Sequence, residues 1–315
     1  MTMAAMNEVV IICGIQASGK SSLAEKYLEK GYVQLNRDKI GGKMDDLLPM
    51  LDTALQRGKC VVMDNTFPTV MVRKPFIGVA MKNSTPIRCE VMDTSIEDAQ
   101  FNAVERIINL RGKLLTPEEI KNDSSPNIFP PTVLFSFRKR WEPPTTLEGF
   151  SSVETFSFVR RPKPEYTGKA ILLDYDGTLR KTKSGRDYPI EPDDVEILPG
   201  RKEKLQACVD DNYRLLGISN QSGVQKGLLS NGAAKACFDR TNKLLGHNID
   251  YVYCPHASFP IACYCRKPMP GWGVHFIHKY KLKAADCIMV GDFKTDRTFA
   301  ERSGFQYLDQ SEFFT

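Results

Sequence analysis

The chain has 315 residues, 42% of them hydrophobic, and a formal net charge of +5. That length holds two ordinary domains of about 150 residues each, and no stretch approaches the roughly 18 consecutive apolar residues of a membrane span. So modest a positive charge permits an anionic partner without demanding one, because nucleic-acid binding needs a local basic stripe rather than a large total.

Nine cysteines are an odd number. Cys13, Cys60, Cys89 and Cys287 sit in apolar stretches, which fits reduced, buried thiols rather than a disulfide scaffold. The N-terminal stretch through Cys13 lacks a basic region and a small-residue cleavage site. Its first apolar run leads straight into a glycine loop, so it reads as a buried strand rather than a signal peptide. The expected setting is intracellular, cytoplasmic or nuclear, with no membrane partner.

Apolar, β-branched runs alternate with helical patterns along the whole chain, the mark of α/β layering around parallel sheets. In chain order, Glu8–Cys13, Cys60–Met63, Arg88–Met92, Ala170–Leu173, Leu215–Ile218 and Cys287–Val290 read as buried strands. Between Arg160 and Gly168 two prolines, basic residues and a glycine break the periodicity. The expected division is therefore 1–160, a linker 161–167, and 168–315. Nearly every polar motif begins where a predicted strand ends, and ligands of open α/β sheets bind at the carboxyl ends of strands.

After the first strand, Gly14-Ile-Gln-Ala-Ser-Gly19-Lys20-Ser21 satisfies the phosphate-loop pattern G-x-x-x-x-G-K-[ST]. Glycines there let backbone N–H groups turn around ATP phosphates, and the following helix points its positive end at them. Lys20 is expected on the β and γ phosphates and Ser21 on Mg²⁺. Asn36-Arg37-Asp38 follows the short strand Tyr32–Leu35, and Asp64-Asn65-Thr66 closes the strand that begins at Cys60. Each acid alone is as good a helix cap as a catalytic group. Arg138-Lys139-Arg140, flanked by Phe135, Phe137 and Trp141, reads either as a single-strand platform of cations and stacking rings or as an edge strand with a solvated basic face.

Taken in order, GIQASGKSS, LNRDKIGG and VVMDNTFP resemble the polynucleotide 5′-kinase family, as does the later FSFRKRWEPPTTLEGFSSVETFSF. The resemblance implies that Gly14, Ser18, Gly19, Lys20, Ser21 and Ser22 hold ATP. It makes Asp38 the general base for a 5′-hydroxyl, and sets Arg37, Asp64 and Thr66 around the acceptor, with Lys39 the one nearby basic residue for an acceptor phosphate. The helix after Ser95 becomes a lid whose Arg106 and Arg111 reach the ATP phosphates.

In the second half Asp174-Tyr-Asp176-Gly-Thr178 follows the strand Ala170–Leu173. An unpaired buried acid pair is costly; Mg²⁺ relieves that cost and lets one carboxylate attack phosphorus while the other handles a proton. Ser219-Asn220-Gln221 ends a strand, Lys267 lies in CRKP, and Asp292 and Asp296 follow IMVG. This series resembles the haloacid-dehalogenase-type phosphatases. The resemblance implies Asp174 as nucleophile and Asp176 as general acid/base, with Ser219, Asn220 and Lys267 on the phosphoryl group and substrate. It puts Mg²⁺ on Asp174, Asp176 and Asp292, supported by Asp296. Arg180, Lys181, Lys183 and Arg186 just beyond read as phosphate grips or as a solvated loop.

Cys254-Pro-His256 and Cys263-Tyr-Cys265 offer three thiolates and an imidazole, the number and softness for tetrahedral zinc, and four closed ligands argue for a structural ion. Such a cage before R-K-P resembles phosphatases of the heptose-bisphosphate and histidinol-phosphate branch. TKSGRDYPIEPDDVEILPG and YLDQSEFF instead resemble the 3′-phosphatase domain of polynucleotide kinase-phosphatases, which generally lack the cage. The expectation is a bifunctional enzyme using ATP, Mg²⁺ and structural Zn²⁺ on DNA or RNA ends, beside a ligase as possible partner. The alternatives are a sugar or polyol kinase/phosphatase and a nucleotide-gated scaffold with one dead site.

Overall fold

The computed structural model describes residues 7–259 and 263–315. The first six residues, which the signal-peptide reading included, lie outside the described residues. Contacts divide the chain into two compact units, Met1–Ala103 with Ser124–Arg160, and Val104–Asp123 with Arg161–Thr315.

In the first unit, β1 (Val9–Cys13), β2 (Val33–Gln34), β3 (Val61–Asp64), β4 (Ile87–Asp93) and β5 (Val153–Ser157) form one parallel sheet in the order β2-β3-β1-β4-β5. Every residue of β1 is buried. Its side chains alternate between two cores: Val9, Ile11 and Cys13 join Leu47, Leu51 and Phe76 on one face. Val10 and Ile12 pack against Leu23, Ala24 and Tyr27 on the other. A strand covered on both faces must be apolar throughout, which is why the run is legible as a strand without any alternation. Central β1 thus delivers the loop at Gly14 between the ends of β3 and β4.

The second unit repeats this plan with β6 (Ala170–Leu173), β9 (Arg214–Asn220), β10 (Asp250–Cys254), β11 (Ile288–Gly291) and β12 (Gln306–Asp309). They pair in parallel in the order β10-β9-β6-β11-β12. A short antiparallel hairpin, β7 (Arg180–Thr182) with β8 (Val195–Ile197), stands apart from the sheet. Leu173 is level with Val290 and Gly217, and Ser219 is level with Tyr253. Asp174, Ser219, Cys254 and Asp292 therefore all emerge at one edge of the sheet.

Two expectations are corrected. The first half is not one contiguous block, because Val104–Asp123 groups with the second unit. Glu105 is held there by Lys163 at 2.8 Å and His278 at 3.1 Å, and Leu114 packs beside the cysteine cluster. The basic stretch before Trp141 is not an edge strand but the end of the helix Thr132–Arg140. Leu134 and Phe137, one helical turn apart, are buried, and Phe137 stacks on Trp141 at 5.2 Å. Two of the three flanking rings thus pack together, while Arg138 lies 5.6 Å from the ring of Phe135.

Candidate active sites

The first site grows out of the turn after β1. Gly14 has φ 148° and a Cβ there would meet the Met92 carbonyl at 2.9 Å, so the chain needs glycine at this approach. Ala17 (φ 59°) and Gly19 (φ 94°) complete the curl, and Gly19 caps the nine-residue helix Lys20–Leu28. The Lys20 side chain is folded into the loop, donating to the carbonyls of Gly14 (2.9 Å) and Ile15 (2.6 Å) and to Ser18 Oγ (3.3 Å). Asn102 and Thr94 brace the same loop by donating to the carbonyls of Ala17 and Ser18. The result is a preformed cradle of N–H groups with an ammonium inside it, suited to a polyphosphate.

Across the cradle, Ser21 Oγ donates to Asp64 Oδ2 at 3.2 Å and Gln34 Nε2 to Asp64 Oδ1 at 2.9 Å. Asp64 is 3% exposed and both donors are neutral. A buried carboxylate beside a hydroxyl, with only neutral donors on its oxygens, suits Mg²⁺, a hard cation that takes oxygen ligands. Asp64 thus fits the metal side of the reaction as well as the acceptor side. Asn36 and Asn65 tie the next turn to β3: Asn36 Nδ2 donates to the Asp64 carbonyl and Asn65 Oδ1 accepts from Arg37 N. Asp38 stands in that turn, half open to solvent and paired with Arg37 at 2.6 Å. Thr66 contributes its carbonyl to Gly14 N, and Lys39 donates to Gln34 Oε1. Ser22 is exposed on the first helical turn. The lid arginines fall in the segment that groups with the second unit. There Arg111 forks onto both oxygens of Asp123, at 2.8 and 2.9 Å, and Arg106 acts electrostatically on buried Tyr264.

The second site centres on Lys267. Its Nζ lies 2.5 Å from Asp174 Oδ1, 2.7 Å from Asp296 Oδ1 and 2.9 Å from the Ile218 carbonyl, which accepts from it. Asn220 holds the lysine backbone from both sides, donating to its carbonyl and accepting from its N–H at 3.0 Å each. Burial, with the repulsion of Asp296 and Asp176 and against the pull of Lys267, raises the Asp174 carboxyl to about 7. Burial works against the Lys267 charge, but Asp174 and Asp296 hold its pKa above the usual lysine range. Asp292 is also raised, by burial and by Asp296. Oxygens of Asp174, Asp292 and Asp296 lie within 4.8 Å of one another. One ammonium among three carboxylates leaves negative charge uncompensated, and the donor set is the all-oxygen kind that Mg²⁺ takes.

Asp176 is gripped on both oxygens, by Arg180 Nε on Oδ1 and Gln221 Nε2 on Oδ2, each at 2.8 Å. The Gln221 amide also donates to Ser219 Oγ at 3.0 Å. Arg180 is 1% exposed, so it is no surface phosphate grip. Lys181 is paired with Glu196, and Lys183 donates to the Asp193 carbonyl; these two lysines and Arg186 are all exposed. Gln34 and Gln221 carried no role in the sequence reading. Gln221 was recoverable from its place directly after Ser219-Asn220.

Cys254, Cys263 and Cys265 are buried, and their sulfurs and the His256 ring nitrogen lie within 4.8 Å of one another. The Cys254–Cys263 separation of 3.8 Å matches the edge of a tetrahedron built on Zn–S bonds of about 2.3 Å. Arg266 Nη1 donates to the His256 carbonyl, so the cluster and the segment carrying Lys267 are directly linked.

Comparison with known proteins agrees with both halves. Residues 9–109 match a family described as AAA domain, and residues 169–314 match the family described as polynucleotide kinase 3 phosphatase. The chain thus joins a domain that matches the AAA family to one that matches the polynucleotide kinase 3 phosphatase family. A bifunctional polynucleotide phosphatase/kinase of Schizosaccharomyces pombe is 37% identical over 152 residues, 48% of this chain and 34% of that protein. A putative bifunctional polynucleotide phosphatase/kinase of Acanthamoeba polyphaga mimivirus is 32% identical over 53% of this chain and 35% of its own length. The chain thus spans about a third of the length of these two kinase/phosphatase relatives. A probable D-glycero-D-manno-heptose-1,7-bisphosphate 7-phosphatase of Thermoplasma volcanium is 33% identical over 42% of this chain and 92% of its own. The kinase domain implies ATP and the phosphatase domain Mg²⁺. No described helix is long and apolar enough to cross a membrane.

Proposed function

We propose that this chain heals polynucleotide ends, phosphorylating a 5′-hydroxyl with ATP in the first unit and hydrolysing a 3′-phosphate in the second. The observation that carries the reading is the pairing of a phosphate cradle, with Ser21 donating to Asp64, and a Lys267–Asp174–Asp296 cluster in one chain. The product, a 5′-phosphate and a 3′-hydroxyl, is what a ligase consumes, so a ligase is the natural partner and an intracellular compartment the natural setting.

In the first unit the cradle and Lys20 hold the phosphates, and Asp38 takes the proton of the 5′-hydroxyl as its oxygen attacks the γ-phosphorus, the bond from that phosphorus to the bridging oxygen breaks, and ADP leaves. In the second, an Asp174 oxygen attacks the 3′-phosphoryl group, the P–O bond to the sugar breaks, and Asp176 gives the departing oxygen a proton. Water then attacks the aspartyl-phosphate, Asp176 takes back a proton, and inorganic phosphate leaves. Ser219 and Lys267 hold the phosphoryl oxygens throughout. Asp174, Asp292 and Asp296 here, and Ser21 and Asp64 in the first unit, would hold Mg²⁺, which would supply charge neutralisation. Cys254, His256, Cys263 and Cys265 would hold zinc, which would brace the segment leading to Lys267.

A second reading, a small-molecule kinase/phosphatase, is favoured by the cysteine–histidine cluster and by the heptose-bisphosphate phosphatase relative. An oligonucleotide with a 5′-hydroxyl and a 3′-phosphate, incubated with ATP and Mg²⁺ and followed by mass spectrometry, separates the two. End healing predicts gain at one end and loss at the other, with Asp38→Asn abolishing only the gain and Asp174→Asn only the loss. If neither end changes while an aryl phosphate is hydrolysed, the small-molecule reading replaces the first.

A further inference from the structure

Arg180 is among the largest fully buried side chains of the described residues. Burying a guanidinium is expensive unless its donors are matched, and here three of its five N–H donors have specific acceptors. Nε donates to Asp176 Oδ1 at 2.8 Å, and Nη1 donates to the Cys237 carbonyl at 2.9 Å and to Thr241 Oγ1 at 2.8 Å. Its guanidinium carbon lies 5.3 Å from the ring centre of Tyr175 and 4.8 Å from that of Phe238. Cys237, Phe238 and Thr241 all belong to the helix Asn231–Leu245, so one helix holds the arginine through three residues. The backbone closes the same loop, with Arg180 N donating to the Tyr175 carbonyl and Gly177 N to the Arg180 carbonyl. Gln221 completes the grip on the far oxygen of Asp176 and joins it to Ser219.

We infer that Arg180 is the positioning residue for Asp176, fixing the plane of that carboxyl so that it meets the leaving-group oxygen in the first step and water in the second. A guanidinium locked by a helix and two rings gives a rotamer far more constrained than a solvated aspartate has, and such second contacts decide whether a proton donor is in reach. The inference rests on the proposed role of Asp176 as general acid/base.

The test compares leaving groups. The aryloxide of an aryl phosphate departs without a proton, whereas the alkoxide of an alkyl ester such as an oligonucleotide 3′-phosphate needs one. Arg180→Met and Arg180→Lys are measured beside Asp176→Asn, each checked for a native melting transition. For Arg180→Met we expect alkyl-ester turnover to fall about 100-fold, the low end of what general acid–base catalysis supplies. The single-turnover burst of phenol from the aryl ester should stay within about threefold, with aspartyl-phosphate accumulating because its hydrolysis also uses Asp176. Arg180→Lys, which keeps the charge but loses the fork, should fall between. Equal losses on both esters, or no loss on either, in folded variants overturn the role of Arg180. If Arg180→Met does not fold, Arg180→Lys alone decides by the same split. Should Asp176→Asn itself show no split, the assignment of Asp176 fails first, and the two failures are thereby told apart.

Discussion

Lys267 Nζ lies 2.5 Å from Asp174 Oδ1 and 2.7 Å from Asp296 Oδ1, a single buried ammonium shared between two carboxylates, the first of them the proposed nucleophile. The lysine therefore keeps two acids from repelling each other, and under the proposed function it would also offer charge to an incoming phosphoryl group. Removing it by Lys267→Met leaves buried carboxylates unpaired, which costs about 3–5 kcal/mol. The expected outcome is loss of phosphatase activity by about 10²-fold or more and a lowered melting temperature of the second unit. Added Mg²⁺ should restore part of the melting temperature but none of the lost turnover. Kinase activity measured on the same sample should persist; its loss would mean that the two units do not fold independently.

Gly177 makes a steric prediction at the same site. Its φ is +83°, and a Cβ there would sit 2.1 Å from Asp292 Oδ2. No neighbour except that carboxylate is so close, so Gly177→Ala must push Asp292 away from Asp174 and Asp296. The left-handed backbone alone costs about 1 kcal/mol. Calorimetric titration should show Mg²⁺ affinity falling at least tenfold, with turnover recovering at high Mg²⁺. Unchanged affinity would show that Asp292 does not contribute to the metal.

How much of this was readable in advance follows from burial. β1, β3, β6 and β11 are covered on both faces, so their composition alone marks them. Of the missed strands, β5, β10 and β12 lie at sheet edges, and their residues are mostly half-exposed or exposed. Tyr251 and Tyr253 of β10 and Glu154 of β5 break any apolar run, and short edge strands owe their state to a neighbour's hydrogen bonds rather than to local pattern. The motif residues were legible because their chemistry fixes residue type and spacing together. Arg180 was not: an arginine in TLRKTKSGR looks like a solvated cation until the helix Asn231–Leu245 is seen to bury it. The placement of Arg106 and Arg111 was likewise hidden, since Glu105 needs Lys163 and His278, distant in sequence, to draw the segment into the second unit.

Glu105 carries a pH prediction. The hydrogen bond from His278 and the charge of Lys163 hold its carboxyl down at about 2, against burial, from an ordinary value of 4.5. Its folded pKa lies below its unfolded one, so its contribution is complete above about pH 4.5 and disappears as pH falls toward 2. After allowing for solvent screening, that contribution is about 1–2 kcal/mol. Denaturant melts of the second unit should show Glu105→Gln less stable by that amount at pH 7, with the two curves converging near pH 2. A gap that stays constant across this range would assign the loss to packing instead.

The cysteine–histidine cluster sets the last expectation. Three thiols and an imidazole nitrogen within 4.8 Å, with no disulfide among the described cysteines, have the donor number and softness of a closed zinc site. Metal analysis of the purified protein should give one zinc per chain. Cys254→Ser or Cys265→Ser should release it. Because Arg266 ties the His256 carbonyl to the segment bearing Lys267, loss of zinc should slow the phosphatase by about tenfold to a hundredfold, as disturbed supporting contacts around a metal commonly do. The kinase of the same sample serves as the internal control and should be unaffected. Full phosphatase activity in a zinc-free variant would show that the cluster holds its fold through packing of Leu114 and Trp272 and that Lys267 is positioned by Asn220 alone.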